Sequence, residues 1–231
     1  MENQSAGYSV DIVLCIDQTL SMVDIIERVK ESALAFHDDL LNEIRSLKLR
    51  VDSLRVKVIG FRDYACQIDR GDGLSPMVES PFFVLPDQAE GFELFVNELI
   101  AVGGGDPPES GYDALALAIN SEWDLTAKNS RQVIVLWTDA DSHPLRHGSD
   151  HPDYPKSMPE DLGELTGLWV GQKSKVGKFS KRFILYAPDV PSWNDIANNW
   201  EYVLKYTLNA GEGLKDHDYQ TIINKIIGNV I

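Results

Sequence analysis

Short apolar runs rich in β-branched residues alternate along this chain with amphipathic stretches, and that alternation restricts the fold more than any other feature. Val10–Ile16 (VDIVLCI) reads as a strand buried on both faces. An amphipathic stretch follows from Val23 to about Leu49, with Ile25, Ile26, Val29, Ala33, Phe36, Leu40 and Ile44 along one helical face. Leu54–Phe61 is a second strand. Between Tyr64 and Leu85 the turn signal Gly71-Asp72-Gly73 predicts an antiparallel hairpin or an edge strand. Asp87–Ile100 reads as a helix with Asp87 as its N-cap, and Pro108–Asn120 as another. Gln132–Trp137 (QVIVLW) is the clearest strand. After a loop rich in Pro, His and Asp, a helix is expected from Pro159 to about Val170. Then come the strand Phe183–Ala187, a helical turn at Trp193–Ile196 and a last strand at Tyr202–Thr207. Asp218–Ile231 closes the chain as a helix with Ile222, Ile223, Ile226 and Ile227 in one stripe.

Alternation of this kind means a parallel sheet with helices on both faces. The expected fold is therefore α/β: a doubly wound, mostly parallel six-stranded sheet with one antiparallel edge strand. There is no internal repeat and no long linker, so residues 1–231 read as one domain. A chain of 231 residues buries a core without staples. Cys15, inside an apolar run, reads as a small buried hydrophobe rather than half of a Cys15–Cys66 bridge. The chain carries 21 basic and 36 acidic residues, a formal charge of −15. That balance argues against nucleic acid and anionic membrane and favours cationic ligands, either metals or basic patches on other proteins. No apolar run approaches the roughly 18 residues of a membrane span. The start MENQSAGYS lacks a basic-then-apolar signal pattern, so a cytoplasmic location is expected.

Ligands of open α/β sheets bind outside the carboxyl ends of the strands, and three oxygen-rich loops fall there. Asp17-Gln18-Thr19-Leu20-Ser21 follows the first strand, with a carboxylate and two hydroxyls at alternate positions. Gly103-Gly104-Gly105-Asp106 lets backbone approach closely and presents Asp106 just before a helix. Thr138-Asp139 ends the most apolar strand. Carboxylate and hydroxyl oxygens suit a hard cation such as Mg²⁺. Taken singly, each loop also has a plainer reading: Asp17 or Ser21 caps the next helix, and the glycines form a turn.

The segment DQTLS after the first strand resembles the Asp-x-Ser/Thr-x-Ser signature of the metal-ion-dependent adhesion site in von Willebrand factor A domains. GGGDPPES and TDADSH resemble the GGGD-x-PE and Thr-Asp-Ala loops of the bacterial stand-alone and alpha-kinase-associated branch, and Gly60-Phe61-Arg62-Asp63-Tyr64 resembles its FRDY segment. The resemblance runs in order along nearly the whole chain. It implies a Rossmann-like sheet and one Mg²⁺ or Mn²⁺ held by Asp17, Thr19, Ser21, Asp106 and Asp139, the last acting through water. Asp106 stands where many family members have threonine, so acceptance of an acidic partner differs from that of integrin-like sites. It also implies a binding module in a stress-response or defence assembly, beside kinase- or phosphatase-like partners.

Other readings are weighed against this one. A Mg²⁺-dependent phosphatase of the haloacid dehalogenase type also follows a first strand with its nucleophile, but it needs a second acid where this chain has Thr19. A metal-free structural domain is opposed by the intact first loop. His143, His147 and His151 are spaced by four as zinc ligands on a helix would be, yet Pro144, Gly148 and Pro152 work against a helix there. A loop bordering the first metal, with histidines that make binding sensitive to pH, is the favoured reading. Asp63 is expected to pair with Arg62 or another base. The basic run Lys173, Lys175, Lys178, Lys181 and Arg182 reads as a solvated connector, with an anionic contact as the alternative.

Overall fold

A computed structural model describes residues 7–24, 26–31, 38–39, 42, 50–67, 74–103, 107–171 and 174–209. Most of the expected continuation of the first helix, the Gly71–Gly73 turn, Gly104–Asp106, Lys173 and the helix expected at Asp218–Ile231 lie outside these residues.

Among the described residues seven strands form one sheet. β1 (Tyr8–Asp17) lies between β2 (Val51–Phe61) and β5 (Ser130–Trp137), β6 (Lys181–Pro188) pairs with β5, and β7 (Val203–Leu208) pairs with β6. These five run parallel. The fold class is the one the sequence predicts, with one refinement at the edge. β3 (Met77–Glu79) and β4 (Phe83–Leu85) do not pair with each other as a hairpin. Both lie antiparallel to β2, one after the other, as a divided edge.

The register follows from burial. β1 is buried on both faces, so Val10, Ile12, Leu14 and Ile16 enter one core cluster while Val13 and Cys15 enter the other. On the first face lie Met22 and Ile26 of the segment after β1, and Phe92 and Val96 of the helix Ala89–Asn97. On the second lies the helix Gly111–Ile119, where Ala114, Ala116 and Ala118 are fully buried and permit close approach to the strands. The helices Leu162–Val170 and Pro191–Asn199 complete that layer with Trp169 and Trp193. Doubly wound topology thus brings the carboxyl ends of β1, β5 and β6 to one edge.

Local details differ at a few points. The helix expected to start on Asp87 has Gln88 at its N-cap, and the Gln88 side-chain oxygen accepts from Val84 N–H at 2.7 Å rather than capping the helix. Asp161 is a true N-cap, accepting from Glu164 N–H at 2.8 Å. Cys15 is a free, fully buried thiol, and burial pushes its pKa up. No helix among the described residues is long and apolar enough to cross a membrane.

Candidate metal centre

The carboxyl end of β1 runs directly into the first loop, which is anchored by backbone hydrogen bonds to two other segments. Gln18 N–H donates to Phe61 C=O at 2.7 Å, Val102 N–H to Gln18 C=O at 2.9 Å, and Leu20 N–H to Gly103 C=O at 3.1 Å. Gly103 adopts φ 83°, a left-handed conformation that favours glycine and lets its carbonyl reach the first loop. The second and third loops are tied in the same way. Glu109 N–H donates to Asp141 C=O at 2.9 Å and His143 N–H to Glu109 C=O at 2.8 Å, while Ser110 N–H reaches Arg62 C=O at 3.0 Å. Loops far apart in sequence are therefore held in one cluster by main-chain bonds.

Within it the side chains form a chain of oxygens. Asp17, 0% exposed, accepts on Oδ1 from Thr19 N–H at 2.8 Å and Thr19 Oγ1 at 2.7 Å, and on Oδ2 from Thr138 Oγ1 at 2.7 Å. Thr19 Oγ1 lies 3.3 Å from Ser21 Oγ, and Ser21 Oγ donates to Asp139 Oδ1 at 2.9 Å. Alternate positions of the first loop do face one way, as the spacing predicts. The cluster runs from a fully buried carboxylate to an exposed hydroxyl at Ser21. Burial raises the Asp17 pKa to about 6 from an ordinary 3.8, although three hydrogen bonds from Thr19 and Thr138 favour its ionised form. A nearby cation would offset this burial cost and favour the ionised carboxylate.

Asp17, Thr19, Ser21 and Asp139 are thus brought together, and Asp106 lies outside the described residues. Among those residues no three His, Cys, Asp or Glu side chains are grouped so as to hold a metal ion. The donor set here is two carboxylates with hydroxyls, hard oxygen ligands of the kind Mg²⁺ takes alongside water. Thr138 is the participant that sequence reasoning placed in the loop without a role. A threonine at the end of a strand reads simply as a β-former, and its hydroxyl bond to Asp17 spans 121 residues.

Of the bases around Asp63, His143 brings Nε2 within 3.7 Å, while the Arg62 guanidinium donates to the carbonyls of Ser75 and Ile100 at 2.6 and 2.8 Å. Residues 145–150 form turns, as the proline and glycine positions require. His143 and His147 stack at 3.9 Å, and His151 sits apart, edge-on to Tyr64 at 5.5 Å. Beneath this loop Asp113 is buried and accepts from Tyr154 Oη. Burial raises its pKa to about 6, with the Asp63 carboxylate adding to the effect.

No protein-family model matches the chain. Among curated proteins it is 26% identical over 159 residues to an alpha-protein kinase, vwkA, of Dictyostelium discoideum, covering 68% of this chain and 22% of the kinase. Among solved structures, the pilus adhesin SpaC of Lactobacillus rhamnosus GG superposes with a TM-score of 0.55 at 12% identity, over 98% of this chain and 31% of the adhesin. Its open conformation gives 0.52 at 14% identity, over 98% and 30%. The vWF domain of the type V pili tip protein Mfa5 from Porphyromonas gingivalis matches with a TM-score of 0.41 at 17% identity, over 62% and 43%. The chain therefore spans less than a third of the length of the kinase and of the adhesin. The likeness to SpaC is one of fold.

Proposed function

We propose that this chain is a von Willebrand factor A-type interaction module that holds one divalent cation, Mg²⁺ or Mn²⁺, and binds a protein partner through it. The observation that carries this reading is the hydrogen-bonded run Thr138–Asp17–Thr19–Ser21–Asp139 at the carboxyl edge of the sheet, buried at one end and open at the other. Asp17, Thr19 and Ser21 would hold the ion from the first loop, Asp106 from the second and Asp139 from the third, the last through water. Bound there, the ion supplies a positive point that an acidic side chain of a partner can meet. Thr138 fixes the Asp17 carboxylate, and Ser21 brings its hydroxyl to the surface where a partner arrives. Asp106, a carboxylate where a neutral threonine is common, would neutralise more of the ion and weaken that attraction.

The module works by binding rather than catalysis. A nucleophilic carboxylate must reach its substrate, and Asp17 is buried with both oxygens engaged. The likeness to an alpha-protein kinase supports a partner in a kinase-like assembly, and a stress-response or defence role in a bacterial setting is part of the same proposal.

Isothermal titration of metal-stripped protein with Mg²⁺ and Mn²⁺ tests the reading. One saturable site in the wild type that disappears in Asp17→Ala is the expected result. An unchanged affinity in the variant, or no saturable binding in the wild type, would refute it.

A further inference from the structure

The sheet edge opposite the candidate metal centre carries a feature that an acidic composition does not predict. At the starts of β1, β5 and β6, Tyr8, Arg131 and Arg182 share one face. Val10 pairs with Arg131 and Val133 with Arg182, and residues two apart on a strand point the same way. The Arg131 guanidinium carbon lies 5.3 Å from the Tyr8 ring centre, and that of Arg182 lies 5.1 Å from the Tyr202 ring centre, both within cation–π range. Beside this row opens a cavity of about 360 Å³ lined by Tyr8, Lys128, Arg131, Lys178 and Phe179 with hydroxyl and amide groups, and among the described residues by no carboxylate.

The surroundings sharpen the contrast. Lys128 and Lys178 are exposed, and Phe179 is 70% exposed, its ring centre 5.3 Å from Lys178 Nζ. Of the acids on adjoining segments, Asp11 is paired with Arg55 at 2.7 Å and Asp52 with Arg50 at 2.6 Å, Asp124 accepts from the Thr126 hydroxyl at 2.6 Å, and Glu201 is exposed beside Tyr202. The basic run also divides by role. Lys181 is buried with Nζ donating to Trp169 C=O, and Lys175 lines a different cavity, so among the described residues of that run Lys178 and Arg182 are the cations left at this edge.

A small basic patch on a chain of net charge −15 selects its ligand by size. A duplex or a bilayer surface reaches past the patch onto acidic surface and is repelled, whereas a short anionic segment is not. An exposed phenylalanine adds an apolar contact that a bare anion does not use. We infer that this edge docks an acidic, partly apolar peptide segment of a protein partner, with Lys128, Lys178 and Arg182 meeting its carboxylates and Phe179 its apolar side chains. The domain then has two binding edges, one at each end of its strands.

The probe is a fluorescein-labelled peptide of alternating glutamate and leucine, followed by fluorescence anisotropy in EDTA so that the metal centre takes no part. Wild type binds it with an affinity that falls as salt rises. The double variant Lys128→Glu/Lys178→Glu binds at least tenfold more weakly, Lys128→Arg/Lys178→Arg binds like wild type, and Phe179→Ala loses severalfold. All of these side chains are exposed, and unchanged melting temperatures establish that the variants fold. No binding by wild type, equal affinity in the charge-reversed variant, or tighter binding of a thymidine oligonucleotide or of phosphatidylserine vesicles than of the peptide overturns the inference.

Discussion

Asp17→Asn is expected to make the metal-free protein more stable. The Asp17 carboxyl has its pKa raised from 3.8 to about 6 by burial, and its three hydrogen bonds do not cancel that effect. A shift of about 2 pKa units at about 1.4 kcal/mol each means that ionised Asp17 costs the metal-free fold roughly 3 kcal/mol near neutral pH. Asparagine resembles the protonated acid in shape. Its oxygen can accept from Thr19 N–H and Oγ1, and its amide can donate to Thr138 Oγ1 once that hydroxyl turns. For a chain of this size each kcal/mol moves the melting temperature by about 2–4 °C, so a rise of roughly 6–12 °C is expected. Asp17→Ala instead leaves the Thr19 and Thr138 donors without an acceptor, at about 1–3 kcal/mol for each buried group left unsatisfied, and melts below Asp17→Asn.

Scanning calorimetry in EDTA and in saturating Mg²⁺ separates the possibilities. With Mg²⁺ at about a hundred times its Kd the wild type gains about 2.7 kcal/mol, and neither variant responds. The pH dependence provides a second check. Because the folded pKa lies above the unfolded one, the folded state holds the extra proton between about 4 and 6. Metal-free wild type therefore loses stability as pH rises through that window, and above it the loss stays. Asp113 titrates in the same window in every variant, so the difference between wild type and Asp17→Asn isolates Asp17. If Asp17→Asn melts at or below wild type in EDTA, ionised Asp17 is a structural cap and the argument fails.

Two further substitutions divide positioning from ligation. Thr138→Val removes a hydroxyl bonded to a buried carboxylate and is expected to lower stability by about 1.5–3 kcal/mol and Mg²⁺ affinity by about tenfold, with Thr138→Ser retaining both, as read by melting and titration. Ser21→Ala lies at the exposed end, so its melting temperature in EDTA should match wild type while Mg²⁺ affinity in titration falls.

Strands buried on both faces were legible because their composition leaves few alternatives: β1 gained two residues at its start and one at its end, and β5 two at its start. The divided edge was not legible. Met77–Glu79 and Phe83–Leu85 are three residues each, too short for any periodicity to register. Asp87 carries the chemistry of an N-cap, yet the chain enters the helix one residue later, where Gln88 bonds back to Val84. At the site, Asp17, Thr19, Ser21 and Asp139 announced themselves as oxygens at strand ends. Asp63 was legible as a residue that meets a base, but the approach of His143 to 3.7 Å is a contact between loops far apart in sequence that no local pattern encodes.

The gradient of burial across the centre bears on how metal and partner would cooperate. Asp17 is locked by three hydrogen bonds before any ion arrives, so that side of the site needs no reorganisation. The Ser21 side is exposed, and there the shell of a bound ion would be free to take a partner's oxygen or water. On this reading a partner that supplies an oxygen ligand tightens the ion, and the ion tightens the partner by the same factor, because coupling between two ligands is reciprocal. Mg²⁺ affinity measured with and without partner, and partner affinity with and without Mg²⁺, must then change by equal factors. Unequal factors would mean that the ion shapes the loop from a distance instead of touching what binds there.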